Sequence, residues 1–305
     1  MGYIAGIDIG GTNCRIGIFS LDGNLEKSWR FSSKPFQQPE YISSALSSEL
    51  NRFEEFKDIV AVGIGVPGLV NSQGIITSSP NYPDWNNLPL RDILTKELKL
   101  PVFVDNDANV FAVGEHFCGV AKDVDNFVVF TIGTGIGGGL FLNGSIFHGA
   151  KGMAGEIGHI VLHPSGPQCG CGKKGCLEAY SSGTAIKKQF AQLTGLELEP
   201  KEIYELAKKG DKAALKTFEK AAYHLGIGIA NIVNIMDVSL IVLGGGVSQA
   251  FDIMQNQIKK GFKEHTFEVH LNTVEIKLSS LQDNAGLYGG FAIAKQGIEG
   301  EKNAL

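Results

Sequence analysis

The sequence predicts an α/β fold built from two halves of similar design. Short apolar segments of strand length alternate with amphipathic helical segments along the 305-residue chain. The second half, from Phe127, begins with the same succession as the first half, from Tyr3. In each there is an apolar strand, a glycine turn, a second apolar strand and a tight turn. A weak internal repeat of this kind predicts two related domains, and the chain is long enough to hold both.

Strands dominate the start of the first half. The segments YIAGIDIGG, IGIFSLDGN and LEKSWRFSS each have strand character, and Asp22-Gly23 is a hairpin turn signal. A helical pattern of apolar residues follows from Pro39 to Phe56. The uniformly apolar DIVAVGIGVPG predicts a strand buried on both faces, and LPLRDILTKELKL predicts a helix. PVFVDND then predicts a strand that runs directly into the helix ANVFAVGEHFCG.

Helices dominate the second half after its opening strands, NFVVFTIGTGIGGGLFLNGSIFHG. The pattern predicts helices over Gly183–Thr194, Pro200–Lys208 and Lys212 to about Met236. SLIVLGGGVS predicts a buried strand, and a helix over Phe251–Phe262 follows it. TVEIKLSS predicts the last strand and NAGLYGGFAIAKQG the last helix.

Charge and composition exclude several classes of partner. The net charge is −5, and the chain has no lysine- or arginine-rich run of the kind that nucleic acids and anionic membranes require. The first residues lack the basic region and apolar core of a signal peptide, and no apolar run approaches the ~18 residues of a membrane helix. Three of the five cysteines lie close together, which favours a metal site in a reducing compartment. We therefore expect a cytoplasmic protein.

The glycine-rich turns do not belong to the common nucleotide-binding motifs. Gly133–Gly138 and Gly63–Gly68 both match the dinucleotide fingerprint, but that pattern requires a helix directly after it. A strand follows the first match and a loop follows the second. The sequence also contains neither a P-loop nor the signature motifs of protein kinases.

Two hairpin tips, DIGGT and TIGTGIGGG, instead combine hydroxyl groups with bare backbone amides. Such amides can line an anion because no Cβ keeps the phosphate away, and a carboxylate at the first tip suits a magnesium ion. A glycine triplet closes a third strand. Together these features predict nucleotide binding, and the candidate residues are Asp8, Gly10, Gly11, Thr12, Thr131, Gly133, Thr134, Gly135, Gly244, Gly245 and Gly246.

These motifs resemble those of a known family. DIGGT, TIGTGIGGG and LGGGVS are similar to the phosphate and adenosine motifs of actin-like sugar kinases, and CGCGKKGCLE resembles the cysteine motif of the ROK family. The resemblance implies two ribonuclease-H-like domains around a central cleft, over residues 1–118 and 119–284. It also implies that a C-terminal helix, 285–305, returns to the first domain. It further implies that the protein binds ATP and Mg²⁺ and forms a homodimer or homotetramer.

The cysteine-rich segment offers three sulfur ligands and one imidazole, the usual set for a closed tetrahedral zinc site. Such a site is structural, because no coordination position stays open for substrate. The candidate ligands are His159, Cys169, Cys171 and Cys176. The two other cysteines, Cys14 and Cys118, lie in strand and helix patterns and are predicted to be small buried residues.

Two glutamates bracket the cysteines, and a metal would hold them rigid in an otherwise flexible glycine-rich loop. Fixed carboxylates can accept paired hydrogen bonds from sugar hydroxyl groups. The resemblance implies sugar contacts for Glu156, His159 and Glu178, with His159 using its second nitrogen.

The segment VDNDAN places polar side chains where a strand ends and a helix begins. Ligands of α/β proteins bind at this edge, but Asn or Asp there is also ordinary helix capping. The resemblance implies that Asp107 is the base that takes the proton of the sugar hydroxyl and that Asn106 binds the sugar. Asp105 is interpreted as structural or capping.

A further loop, GVPGLV with SSPNYPDW, is a candidate substrate loop. Gly68 and Asn81 are predicted sugar contacts by their position in the family pattern. Trp85 fits either a core position or a wall of the site, and the sequence leaves the two alternatives open.

The function predicted is ATP-dependent phosphorylation of a hexose at its 6-hydroxyl group, with glucose as the first candidate. The alternative acceptor sugars are N-acetylmannosamine, N-acetylglucosamine, fructose and mannose. The alternative phosphoryl donor is polyphosphate. A sugar-responsive repressor of the same family would carry a helix-turn-helix domain before the DIGGT strand. Because Asp8 lies almost at the start of the sequence, and because Asp107 is present with both phosphate turns, we expect an enzyme rather than a repressor or a non-catalytic sugar-binding protein.

Overall fold

A computed structural model describes residues 2–303 of the chain, with the backbone alone for 301–303. The strands are β1 (Tyr3–Ile9), β2 (Asn13–Ser20), β3 (Leu25–Ser32), β4 (Ile59–Val66), β5 (Leu69–Val70), β6 (Ile76–Ser78), β7 (Val102–Asn106), β8 (Phe127–Ile132), β9 (Ile136–Leu142), β10 (Ser145–Ile146), β11 (Leu240–Gly244) and β12 (Glu275–Leu278). The α-helices are α1 (Ile42–Leu50), α2 (Leu90–Leu98), α3 (Asp107–Cys118), α4 (Glu178–Ser181), α5 (Gly183–Thr194), α6 (Pro200–Lys208), α7 (Lys212–Met236), α8 (Phe251–His265) and α9 (Ala285–Asn303).

The two five-stranded sheets share one topology. Their strand orders are β3-β2-β1-β4-β7 and β10-β9-β8-β11-β12. When the strands of each sheet are numbered along the chain, both orders read 3-2-1-4-5. The first three strands of each sheet follow one another directly along the chain, and the last two pair in parallel. This shared order agrees with the repeat predicted from the sequence.

The side chains of β1 point alternately into two hydrophobic cores. Ala5, Ile7 and Ile9 belong to a cluster that includes the buried leucines of α1 and α2. Ile4 belongs instead to a cluster with Leu287 and other residues of α9. Because side chains of a strand point alternately to its two faces, every second residue of β1 from Ile4 onward faces α9.

The chain folds into two compact units. The first runs up to Asp125 and includes 139–155 and the chain from Asp283 onward; the second comprises 126–138 and 156–282. This division differs from the predicted boundaries in its treatment of 139–155. The segment belongs with the first unit because Gly139 lies against Ala108 of α3, where an added Cβ would come within 2.5 Å of the Ala108 carbonyl oxygen.

Two local predictions were wrong. The helix expected from Pro39 to Phe56 is α-helical only over α1, with a 3₁₀ turn on either side. It ends early because the N–H groups of Arg52 and Phe53 donate to carbonyl oxygens three residues back instead of four, while the side chain of Asn51 donates to the Ser47 carbonyl oxygen. Cys118 was expected to be buried but is exposed at the end of α3, whereas Cys14 is buried as predicted.

None of the helices within residues 2–303 combines the length and the apolar character that a membrane span needs.

The close packing of α9 on α3 generates a stability prediction. A Cβ on Gly289 would collide with the Val110 carbonyl oxygen, which belongs to backbone and cannot rotate away. We expect Gly289→Ala to lower the free energy of unfolding by about 1–3 kcal/mol, as overpacking does elsewhere. Gly300→Ala in the same helix is the matched control, because no described atom lies within 4 Å of its added methyl group. Urea unfolding of both variants measures the difference; equal stabilities would contradict this account of the contact.

Candidate functional site

The junction of β7 and α3 brings together three of the predicted sugar-site residues. Asn106 is the N-cap of α3, and its Oδ1 accepts hydrogen bonds from the backbone N–H groups of Ala108 (2.9 Å) and Asn109 (3.3 Å). Its Nδ2 donates to the carbonyl oxygen of Gly68 at 3.0 Å. Asp107 is the first residue of the helix, and its Oδ1 accepts from the Ala108 N–H at 2.9 Å. Asn106 therefore caps the helix and at the same time ties it to the substrate loop.

Asp105 has a partner that sequence reasoning missed. Its Oδ2 lies 2.7 Å from Nε2 of His148, and its Oδ1 accepts a hydrogen bond from the Asn106 backbone N–H, also at 2.7 Å. The bond to Asp105 raises the pKa of His148, although partial burial opposes the shift. The two residues are 43 positions apart, so no local pattern signals the pair.

The tip of the β1–β2 hairpin is the first predicted phosphate turn, and Gly11 and Thr12 are exposed there. The Gly10 N–H donates to the Asn13 carbonyl oxygen at 2.9 Å, and the hydroxyl of Tyr82 donates to the Gly10 carbonyl oxygen at 2.7 Å. A Cβ on Gly11 would come within 2.7 Å of Nδ2 of Asn81. The structure thus places Asn81, a predicted sugar contact, against the phosphate turn.

Trp85 is a core residue. It is fully buried, stacks on Tyr82 with ring centroids 4.1 Å apart, and donates from Nε1 to the Phe36 carbonyl oxygen at 2.8 Å. Of the two alternatives that the sequence left open, the structure selects the core.

Asp8 lies at the end of β1, on the face that meets the start of α9. A Cβ on Gly286 would come within 2.8 Å of its carboxyl carbon. Burial raises the pKa of Asp8, and the guanidinium of Arg15, whose Nη2 is 2.9 Å from Asp8 Oδ2, opposes the rise. Arg15 also lies 3.7 Å from Asp283. Arg15 was not identified from the sequence, although hairpin register places it directly opposite Asp8.

The second predicted phosphate turn lies between β8 and β9. The Gly133 N–H donates to the Gly135 carbonyl oxygen at 2.9 Å, and hydrogen bonds from Gly183 and Thr184 join the turn to the start of α5. In these, the Gly183 N–H donates to the Gly133 carbonyl oxygen (2.8 Å) and the Thr184 hydroxyl to the Thr134 carbonyl oxygen (2.8 Å). No described atom lies within 4 Å of the position a Cβ on Gly133 would take. The backbone of this tip is therefore open to a ligand.

The glycine triplet ends β11 and starts a 3₁₀ helix. Gly245 has φ 83°, and a Cβ there would come within 2.6 Å of the Ile132 carbonyl oxygen, so glycine is required. Beside Gly246 is a shallow depression that sequence reasoning missed; it is lined by Pro200, Lys201, Tyr204, Phe218, Gly246, Val247, Gln249 and Ala250. The Thr131–Gly135 turn, the glycine triplet and this depression all belong to the second unit.

The structure brings the four predicted metal ligands together. One donor atom from each of His159, Cys169, Cys171 and Cys176 lies within 4.8 Å of all the others. The Sγ atoms of Cys171 and Cys176 are 3.7 Å apart, and Sγ of Cys169 is 3.7 Å from Nδ1 of His159. Zn–S bonds of about 2.3 Å in a tetrahedron place sulfurs about 3.8 Å apart, so this donor set fits a tetrahedral ion.

The glutamates next to the cluster occupy different surroundings. Glu156 is half exposed and lies 3.8 Å from Nε2 of His159; burial raises the pKa of its carboxyl, and the charge of Glu178 adds to the rise. Glu178 accepts a hydrogen bond from the Ile136 N–H (3.0 Å) with one oxygen and from the Cys169 thiol (3.4 Å) with the other. The ring of His159 thus points one nitrogen at the cysteines and the other at Glu156.

Comparison with known proteins shows the family. A model of the ROK family matches residues 4–297. This chain belongs to the ROK family. It is 32% identical to a glucokinase of Thermotoga maritima, over 97% of this chain and 98% of that protein. It is 33% identical, with a TM-score of 0.85, to the structure of a ROK family glucokinase from Streptomyces griseus in complex with glucose and AMPPNP, over 97% of this chain and 100% of that one.

Regulators are also among the relatives of this ROK protein. A xylose repressor of Bacillus subtilis is 29% identical over 94% of this chain and 76% of the repressor. The predicted family and fold class are confirmed by these matches, and the closer identity is to the kinases just described.

The ligand cluster predicts a bound metal. We expect the purified protein to contain one divalent ion per chain and Cys176→Ser to lose it, because the substitution removes a buried sulfur ligand. Cys118→Ser is the matched control, since Cys118 is exposed and outside the cluster. Elemental analysis by mass spectrometry measures the content of each protein. Equal metal content in the two variants would contradict the assignment of Cys176 as a ligand.

Proposed function

We propose that this ROK protein transfers the γ-phosphoryl group of ATP to the 6-hydroxyl group of glucose. The proposal rests on the similarity of this protein, over 97% of the chain, to a ROK glucokinase whose structure holds glucose and AMPPNP. That relative binds a hexose and an ATP analogue, the two ligand classes for which the candidate residues of this chain are suited.

Asp107 is the base in the proposed reaction. The sugar O6 forms a bond to the γ-phosphorus while the bond from that phosphorus to the bridging oxygen of ADP breaks, and the O6 proton passes to the Asp107 carboxylate. The start of α3 suits this group because the positive end of a helix dipole favours a negative charge. Asn106 and Gly68, which are hydrogen bonded to each other, are assigned to the sugar beside it. Base catalysis of this kind contributes roughly 10²–10⁴-fold, and positioning and charge neutralisation supply the rest.

The nucleotide is assigned to the glycine turns. Backbone amides at the tips of the two hairpins are proposed to bind phosphate oxygens, and the glycine triplet approaches the nucleoside. The depression beside Gly246 has aromatic and aliphatic walls, including Tyr204 and Val247, that suit the flat face of adenine. A Mg²⁺ ion carried with the nucleotide would neutralise phosphate charge, and the oxygens of Asp8, oriented by Arg15, are the candidate protein ligands.

Zinc is the metal that we assign to the cluster. Three sulfurs and one imidazole are its usual structural ligands, and they leave no open position for water or substrate. The ion cross-links the glycine-rich loop when it is bound. The protein residues then bind the sugar. Glu156 and Glu178 are proposed to accept hydrogen bonds from its hydroxyl groups, and His159 is proposed to donate one to them. Since His159 directs Nδ1 to the cysteines, Nε2 is the atom assigned to the sugar.

Removing the proposed base gives a test of the mechanism. We expect Asp107→Ala to lower kcat by at least about 10²-fold, since proton transfer to the base is lost. Glucose binding, measured by calorimetry, is expected to persist. Asp92→Ala is the matched control, because Asp92 lies in the first turn of α2 and is exposed. Turnover of Asp107→Ala equal to that of the wild type, in a coupled ADP-release assay, would exclude Asp107 as the base.

The identity of the sugar is tested with a panel of acceptors. We expect MgATP-dependent ADP release to be fastest with glucose, compared with N-acetylmannosamine, N-acetylglucosamine, fructose and mannose at equal concentrations. A preference for an N-acetyl sugar would leave the phosphoryl-transfer chemistry in place and replace the proposed substrate. Formation of the sugar phosphate with polyphosphate but not with ATP would replace the donor. ADP release with none of the five sugars would favour a regulatory protein, as in the repressor branch of the family.

A further inference from the structure

Asp105 is the hub of a hydrogen-bond network at the start of α3. Its Oδ1 accepts hydrogen bonds from the Asn106 backbone N–H (2.7 Å) and from Nδ2 of Asn109 (2.9 Å), and its Oδ2 contacts His148 (2.7 Å). Asn109 is buried, and the Asp105 side chain is only 15% exposed. A mostly buried carboxylate with all these partners joins the backbone of the proposed sugar ligand Asn106 to the side chain of Asn109 in the first turn of α3.

His148 belongs to a closed loop, which we define as residues 148–154. The Ala154 N–H donates to the His148 carbonyl oxygen at 3.1 Å and closes the loop on itself. Gly152 lies against the backbone of Val70 and Asn71, where an added Cβ would come within 2.7 Å of the Val70 carbonyl oxygen. The ion pair with Asp105 is thus a second tie between this loop and the substrate side of the first unit.

We propose that Asp105 and His148 form a positioning pair that fixes Asn106 and the first turn of α3 for the acceptor sugar. The inference rests on the proposed function of Asn106 and Asp107. Neither member of the pair needs to contact substrate. The carboxylate of Asp105 orients the Asn106 backbone, and the imidazole of His148 supplies the opposite charge that makes this carboxylate favourable in a partly buried position.

The charge of the pair depends on pH in a defined direction. Asp105 is the charged group that acts on His148, while Lys151 in the same loop is exposed. The pKa of His148 is raised, so the imidazolium is fully present below the ordinary histidine pKa and is lost as the pH rises through the raised value. The imidazolium therefore strengthens the pair below the ordinary histidine pKa, as long as Asp105 is ionised, and the pair weakens as the pH rises through the raised value.

Two substitutions test the pair. We expect His148→Gln to raise the KM for glucose about tenfold, the loss of one charge-assisted bond, with the KM for ATP unchanged. The wild-type KM for glucose is expected to rise on the alkaline side of the raised His148 pKa, whereas His148→Gln lacks this rise. His270→Gln is the matched control, since His270 lies 3.8 Å from Asp237 in the second unit. Asp105→Asn is expected to lower the pKa of His148, and NMR of the imidazole measures this pKa.

A readout that does not use activity separates this inference from the proposed function. Amide hydrogen exchange at Ala108 and Asn109 is expected to be faster in His148→Gln than in the wild type and in His270→Gln. Unchanged exchange, or an unchanged His148 pKa in Asp105→Asn, would overturn the positioning pair even if glucose is phosphorylated. Faster exchange in a protein that phosphorylates no sugar would support the pair and overturn the proposed function alone.

Discussion

The first unit depends on a backbone-to-backbone contact between α9 and the elements beneath it. Glycines on both sides, Gly6 in β1, Gly63 in β4 and Gly289 in α9, leave no room for a Cβ at the contact. Because the helix lies this close, its first turn reaches the end of β1, where Gly286 faces the carboxyl group of Asp8. The same helix packs on α3, whose first residue is the proposed base. One steric constraint therefore fixes the elements that carry both the predicted phosphate turn and the proposed acceptor junction of this unit.

In the second unit, a polar link replaces this steric one. The carboxyl group of Glu178 accepts a hydrogen bond from the Ile136 N–H with one oxygen, and its other oxygen lies 3.4 Å from Sγ of Cys169. Its two oxygens therefore join the ligand cluster to the first residue of β9, directly after the glycine turn. Gly135 leaves the space for this carboxyl group, since an added Cβ would overlap it. The position of a proposed sugar ligand thus depends on both the candidate metal loop and the predicted nucleotide turn.

The structural features that the sequence predicts best are those that local interactions determine. The bounds of α5, α6 and α7 follow from their caps: Ser182 and Asp211 accept N-cap hydrogen bonds, and Glu199 with Glu202 forms a capping box. The metal ligands are also predictable, because spacing and residue type alone define the donor set.

Features that depend on distant contacts could not be predicted. The pair of Asp105 and His148 spans 43 positions, and each residue alone reads as a cap or a surface side chain. The depression beside Gly246 is formed by three separate segments, so no single segment signals it. Cys118 is the last residue of α3 and is exposed there, although the apolar pattern of the helix predicts a buried position.

The repeated topology explains a difference in charge between the two hairpins. Asp8 and Thr131 are both the penultimate residue of the first strand of their sheet, and both are half-buried. Phosphate groups are anionic, so a carboxylate at each tip would repel the ligand that the bare amides attract. A single carboxylate, offset by Arg15, would instead be suited to hold the proposed Mg²⁺ that accompanies the nucleotide. The second tip then needs only a neutral hydroxyl group, which can donate to a phosphate oxygen. The first hairpin thus carries the acid that the proposed Mg²⁺ would need, and the second carries a hydroxyl group at the matching position of the same strand order.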